Sequence, residues 1–323
     1  MGFLIIRETM SSSTLNDKKD YAVKALIYRE DGKILLQKRD NNQEIDYPGC
    51  WNLFGGLVKD NESLDESIQR ELIEELTILP GKIGEKVFKW MDQEGKILNI
   101  CFSICFSVKE SDLHLKEGET MRWFKLSSIL NLNMTGFLKS NLHNLIIAMD
   151  KIKPGIQSEF EKECMNNLGL LKKNIRVYYT KNKPACFNSL FINTLTILGQ
   201  INNIPLIRLC LHENDDENIH EMLMIHIYKQ KVGPLKQNKN SSLSYHVISG
   251  AGKITLHNEK GTKNNEFIID ANNPNGYRHC RLKANTYRTI ESTTNNFVFL
   301  EISSGPFKDS DTIWLKKTLE RIE

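Results

Sequence analysis

The stretch that decides the fold runs from Gly55 to Ile78, GGLVKDNESLDESIQRELIEELTI. A glycine pair leads into a short polar loop, and the loop into a carboxylate-rich segment with helical spacing. Each residue of an α-helix advances by about 100°, so Glu71, Glu74 and Glu75 are expected to project from one face. Leu64, Ile68, Leu72 and Leu76 recur every fourth position and form the opposite stripe, suited to burial against a sheet. Three acids crowded on one side of a buried helix repel one another unless a cation neutralises them. Oxygen-only ligands suit a hard ion such as Mg2+. The plainer alternative is an amphipathic surface helix with a solvated acidic face, the commoner fate of charge runs.

Against that alternative stands the spacing of Gly56, Glu62, Arg70, Glu71, Leu72, Glu74, Glu75 and Ile78, which closely resembles the Nudix box. The departure is Thr77, where the family has glycine. Threonine is poor in the left-handed conformation that follows many helices, so the helix is expected to end differently, near Pro80-Gly81. The resemblance implies an α/β Nudix fold, an α/β/α sandwich with a mixed sheet, over residues 18–150. It also implies Mg2+, with Mn2+ as a substitute, held by the Gly55 carbonyl, Glu71, Glu74 and Glu75. Glu62 would be an outer ligand. Glu117, ahead of Trp123-Phe124, would be an added ligand; Glu119 is its alternative, and either is equally readable as a solvated loop acid. Glu71, Glu74 and Arg70 are the expected catalytic set, with Glu71 a ligand or general base and Arg70 orienting a box glutamate through its planar fork. Lys59 stands where many relatives have glutamate.

At 323 residues the chain suggests about two domains of ~150 residues each. Basic and acidic residues nearly balance, 43 against 40, so net charge predicts neither nucleic-acid nor membrane attraction. The apolar run in MGFLIIRETMSSS is too short for a signal sequence, and no run reaches the roughly 20 residues that cross a bilayer. Seven scattered cysteines without a CxxC pair suggest a reduced, cytoplasmic protein. Cys101 and Cys105 read as small core residues on one face of a strand.

Residues 11–20 read as a flexible entry. AVKALIYREDGKILLQKRD gives strands at Val23–Tyr28 and Ile34–Gln37 around the turn Glu30-Asp31-Gly32. Tyr47, Trp51 and Phe54 are candidates to stack on a base, with core packing expected for at least two. VFKWMDQEGKILNICFSICFSV gives two more strands about Gln93-Glu94-Gly95. A helix with Leu142, Leu145 and Ile146 follows through Met149.

Residues 151–204 read as a helical linker and the start of a second domain. KPGIQSEFEKECMNNLGLLKK is its first helix, NIRVYYT a strand and SLFINTLTILGQINN a further helix. Residues 205–323 show short strands with regular turn signals, expected to form an all-β barrel or sandwich. Lys236–Ser242, KQNKNSS, reads as a loop. RLCLHENDDENIHEMLMIHI, SYHVISGAGKITL, ANTYRTI and VFLEISSGPF resemble the WbuC-type cupins associated with surface-polysaccharide synthesis. The metal ligands of that family are missing: Leu235, Lys236 and Gln237 stand where a His pair belongs, Leu243 or Ser244 where the Glu belongs, and Arg288 at the last His. No metal is therefore expected there. Arg288, Lys236 and His246, or Arg278, are candidates to face an anion or sugar; the alternative is a domain that packs, homodimerises or positions its neighbour.

The expected function is Mg2+-dependent hydrolysis of a diphosphate linkage in a nucleoside diphosphate derivative. The cupin resemblance points to a nucleotide sugar of polysaccharide synthesis. The alternatives are a MutT-like nucleoside triphosphate pyrophosphatase and a non-catalytic binding or regulatory protein.

Overall fold

A computed structural model describes residues 20–92, 95–237 and 241–315. The chain divides into two units. One comprises the chain up to Trp123 with Met134–Lys139, the other Phe124–Asn133 with the chain from Ser140 onward.

The first unit is built on β1 (Asp20–Tyr28), β2 (Ile34–Lys38), β3 (Trp51–Asn52), helix α1 (Leu64–Leu76), β4 (Gly81–Met91), β5 (Ile97–Phe106) and β6 (Thr120–Phe124). Strand order is β3-β2-β1-β5-β4, with β6 also on β2. The β1–β5 pair is parallel while β1–β2 and β4–β5 are antiparallel, so the sheet is mixed. The β1–β2 turn closes where Gly32 takes φ +81°, a conformation glycine adopts without steric cost. The first two residues of the Gln93-Glu94-Gly95 turn and the flexible entry before Asp20 lie outside the described residues.

Because β1 is central, its residues from Ala22 to Ile27 are all buried, whichever face they take. Ile68, Leu72 and Leu76 of α1, all fully buried, pack with Val23, Ala25, Ile27, Phe102 and Ile104, while Leu64 is partly covered. Deleting one such side chain to alanine costs about 2–5 kcal/mol. Cys101 joins the buried set, but Cys105, near the end of β5, is exposed, because the burying neighbours run out there.

Helix α1 starts at a capping box: Ser63 Oγ accepts from the Glu66 amide and Glu66 Oε2 accepts from the Ser63 amide. It ends at Leu76, short of the expected Pro80-Gly81. Thr77 itself takes the left-handed turn with φ +72°, and its amide still bonds Ile73 O. What the missing glycine would have supplied without strain is supported by Thr77 Oγ1 donating to His114 O at 2.8 Å.

The second unit begins with α2 (Leu126–Ile129) and takes in α3 (Gly136–Ile152) from Ser140 onward; Leu142, Leu145 and Ile146 of α3 are fully buried. Next come α4 (Ile156–Asn167), β7 (Leu170–Asn174), β8 (Val177–Thr180) and α5 (Ser189–Ile201). The helix expected through Lys172-Lys173 stops at Asn167, since Gly169 turns with φ +61° and β7 pairs antiparallel with β8. The remaining strands are β9 (Leu206–Cys210), β10 (Ile219–His226), β11 (Lys231–Gln237), β12 (Leu243–Ser249), β13 (Ala251–His257), β14 (Lys263–Asp270), β15 (His279–Leu282), β16 (Tyr287–Ser292), β17 (Phe297–Ser304) and β18 (Thr312–Trp314). They form two sheets, ordered β15-β12-β17-β10-β9-β8-β7 and β14-β13-β16-β11-β18. Met224, Tyr245, Val247 and Phe299 of the first sheet share one core with Ile254, Ile269 and Ile290 of the second. The strand-rich expectation from residue 205 onward therefore holds. Of the loop expected from Lys236 to Ser242, Lys236 and Gln237 belong instead to β11, and residues 238–240 lie outside the described set. Among the described residues no helix is long and apolar enough to cross a membrane.

Candidate functional site

Arg70, one turn and a half into α1, gathers three of the candidate carboxylates. Its Nε and Nη2 donate to the two oxygens of Glu62 at 2.7 and 2.9 Å, a parallel fork. Its Nη1 donates to Glu71 Oε1 at 2.6 Å and to Glu74 Oε2 at 3.0 Å. Nη2 also reaches the Leu57 carbonyl at 3.0 Å, tying the helix to the loop before it. Those hydrogen bonds pull the Glu62 carboxyl down to a pKa of about 2. Lys59 adds an ion pair to Glu74 at 3.4 Å.

The three helix acids do not share one environment. Glu74 is half exposed and Glu71 mostly covered, whereas Glu75 is turned inward and buried. Glu75 Oε1 accepts from Gln37 Nε2 at 2.7 Å, and its Oε2 accepts from the Gly55 amide at 2.8 Å. Burial pushes its carboxyl up to a pKa of about 7, against the opposing pull of Gln37, Lys24 and the Gly55 N–H. The expectation of a single acidic face is corrected accordingly: Glu75 lies toward β1 and β2, where the sheet covers it.

Backbone contacts require Gly55 to be glycine, and Gly56 makes room for a side chain. Gly55 has φ +112°, and a Cβ there would lie 2.3 Å from Val23 O. At Gly56 a Cβ would lie 2.6 Å from Glu71 Oε2, so only glycine leaves that carboxylate its place. Two participants were not anticipated from the sequence. Lys24, buried in β1, donates its ammonium to the Gly55 carbonyl, and Gln37, buried in β2, holds Glu75. Burial pushes the Lys24 ammonium below its usual range, with Glu75 opposing. The available signal was a lone cation inside the apolar run AVKALIY, and a lone amide inside ILLQK.

Glu117 is exposed in the loop before β6. That loop is anchored at the end of α1, where the Lys116 amide donates to Glu75 O at 2.8 Å. Glu119, its alternative, is paired with Lys38 at 2.8 Å. Of the aromatic candidates Phe54 is fully buried, Trp51 partly buried and Tyr47 43 % exposed, with Tyr47 edge-on to Phe137.

Among the described residues no three His, Cys, Asp or Glu side chains stand in a metal-holding group. Glu62, Glu71 and Glu74 turn oxygens to Arg70 instead. By donor chemistry the site still fits a hard divalent ion: Glu71, Glu74 and the Gly55 carbonyl offer oxygen alone, and Glu74 is open to solvent.

In the second unit, Arg288 is buried, its Nε donating to Tyr245 Oη at 2.6 Å and its Nη1 to the Leu235 carbonyl at 3.3 Å. Lys236 pairs with Glu259 at 2.8 Å and lies over the Tyr287 ring at 4.4 Å. His246 is exposed and follows the buried Tyr245 on β12, so it faces away from the core that holds Arg288. The structure does not bring these three residues together.

Residues 18–145 match the family model of the NUDIX domain. The chain is similar to an ADP-ribose pyrophosphatase of Methanocaldococcus jannaschii, 35 % identical over 114 residues, covering 34 % of this chain and 63 % of that protein. It is also similar to the CTP pyrophosphohydrolase of Escherichia coli K12, 38 % identical over 79 residues, covering 24 % of this chain and 56 % of that protein. The chain thus spans less than two thirds of the length of either curated relative. A solved structure of a MutT protein from Methanosarcina mazei Go1 aligns at 30 % identity over 41 % of this chain and 96 % of its own, with a TM-score of 0.33. Residues 18–145 of this chain are a NUDIX domain.

Proposed function

We propose that the NUDIX domain hydrolyses the diphosphate linkage of a nucleoside diphosphate derivative with Mg2+, or Mn2+, as cofactor. The observation that carries the reading is the Arg70 guanidinium holding Glu62, Glu71 and Glu74 together beside the Gly55–Glu75 contact. The similar ADP-ribose pyrophosphatase supports the substrate class. A bound divalent ion neutralises phosphate oxygens and makes the attacking water more acidic. Glu71 and Glu74 are the groups placed to hold it, with Glu62 outside them and Glu117 reaching in from its loop; Glu75 and the Gly55 carbonyl, the other expected ligands, would first have to leave Gln37, the Gly55 amide and Lys24. Arg70 is the positioning residue that fixes the carboxylates. Glu71, placed by the absence of a side chain at Gly56, is the candidate to take the water's proton.

The similarity to a CTP pyrophosphohydrolase favours a second reading, cleavage of a nucleoside triphosphate to monophosphate and pyrophosphate. A third, binding without turnover, is favoured by carboxylates already neutralised by Arg70 and Lys59. The domain limits 18–150, 151–204 and 205–323 belong to this proposal. So does the reading of the last part as a degenerate cupin-like barrel that directs the enzyme to a nucleotide sugar. The test is product analysis with Mg2+ on ADP-ribose, nucleoside diphosphate sugars and nucleoside triphosphates. Two monophosphates from the first two classes support the leading reading, pyrophosphate release supports the second, and tight binding without turnover supports the third.

A further inference from the structure

The least expected group at the site is Lys24. An ammonium is strongly hydrated, and placing one in the middle of a central strand is unfavourable unless fixed partners replace the water. Here one peptide carbonyl takes the hydrogen bond, and the nearby Glu75 carboxylate attracts the ammonium without touching it. The Gly55 carbonyl accepts from Lys24 Nζ, while the Gly55 amide donates to Glu75 Oε2. Lys24 and Glu75 thus clamp Gly55 through both of its polar backbone atoms. The clamp suits a residue whose φ of +112° and close approach to Val23 O leave it no side chain of its own. The Phe137 ring, 5.6 Å from Nζ, covers the ammonium on another side.

The charge around the helix supports a defined role. Glu62, Glu71, Glu74 and, when ionised, Glu75 supply at most four negative charges, and Arg70, Lys59 and Lys24 supply three positive ones, all joined through the contacts above. The remaining negative charge suits one divalent ion far better than a cluster of them. A divalent ion on the Gly55 carbonyl oxygen would share that atom with the ammonium, two positive centres on one acceptor. The Glu71 and Glu74 oxygens lie on the Arg70 side, and Glu74 faces solvent.

We propose that the Lys24 ammonium is a resident cation of this site, keeping the Gly55 carbonyl from divalent ions and limiting the chain to one such ion on the Glu71–Glu74 side. The inference rests on the reading of the box as a divalent-ion site and adds to it a stoichiometry and a positioning residue. Lys24 acts through Gly55 and Glu75 and touches no substrate.

The test uses the full chain and Mn2+ alone. Electron paramagnetic resonance titration of free Mn2+ is expected to give one bound ion per wild-type chain and two per chain in Lys24→Met. Lys24→Gln, which keeps an amide donor of similar length, serves if the methionine variant does not fold. Anomalous diffraction from Mn2+-soaked wild-type crystals needs no variant. The expected result is Mn2+ on Glu71 and Glu74 with Lys24 Nζ still on the Gly55 carbonyl. Mn2+ on the Gly55 oxygen with the ammonium turned away overturns the proposal, as does an unchanged or lower ion count in the folded variants. Absence of Mn2+ from wild type overturns the proposal together with the divalent-ion reading beneath it, an outcome distinct from the other two.

Discussion

Arg70 and Glu62 meet through two parallel hydrogen bonds, Nε to Oε1 at 2.7 Å and Nη2 to Oε2 at 2.9 Å, across eight positions of sequence. This fork fixes the loop before α1 against the helix and leaves Nη1 free to take Glu71 and Glu74. Lysine lacks the fork. Glu62 is therefore expected to titrate at about 2 in the wild-type protein and to move back toward the ordinary carboxylate range in Arg70→Lys. Because its folded pKa lies below the unfolded one, the stability linked to Glu62 is present above the unfolded value and is lost as pH falls through about 2. Carbon-13 NMR titration of the side-chain carboxyls reads this; an unmoved Glu62 resonance in the lysine variant would show that the fork is not the cause.

Glu75 has the opposite sign. Its folded pKa of about 7 lies above the ordinary value of 4.5, so the folded protein holds the proton more tightly. Stability linked to this group is fully present below 4.5 and is lost as pH rises through about 7. Relative to Glu75→Gln, metal-free wild type is expected to lose up to about 3 kcal/mol across that window. Urea denaturation of both proteins at pH 4.5, 6 and 8 measures it; parallel pH profiles would place the proton elsewhere.

Much of the first unit could be read from the box outward. The leucine and isoleucine stripe of α1 and the glycine turn at Gly32 each follow from local chemistry, so the helix and the first hairpin could be inferred from neighbouring residues, whereas the parallel β1–β5 pair could not. Lys24 and Gln37 could not, because their meaning comes from contacts 31 and 38 positions away. The inward turn of Glu75 was hidden for the same reason: angular spacing on a helix does not say where the sheet ends. In the second unit, Arg288 stood out as a substitution for histidine, but its burial beneath Tyr245 depends on β12 and β16 facing one core.

That burial has a measurable consequence. Tyr245→Phe removes the acceptor of Arg288 Nε and leaves a buried guanidinium N–H without it. The expected cost is about 1–3 kcal/mol, read as a lower denaturation midpoint with an unchanged slope. A neutral effect would mean that Arg288 finds water or another acceptor.

Thr77 gives a smaller test. Its left-handed backbone is supported by the hydroxyl bond to His114 O at 2.8 Å. Thr77→Val keeps shape and strain but deletes that bond, with an expected loss of about 1 kcal/mol. Chemical denaturation checks it, and a change within ±0.3 kcal/mol, roughly the scatter of neutral surface substitutions, would remove the hydroxyl from the account.

The most direct measurement for the whole account is steady-state hydrolysis of ADP-ribose by the full chain with Mg2+, compared with Glu74→Gln and with excess chelator. Glu74 is half exposed, so the variant is expected to fold normally. The account predicts turnover in wild type, a loss of at least about 100-fold in the variant, the scale seen when one charge-stabilising group is removed, and none without metal. Wild-type rates that persist in folded Glu74→Gln, or that ignore the chelator, would contradict it.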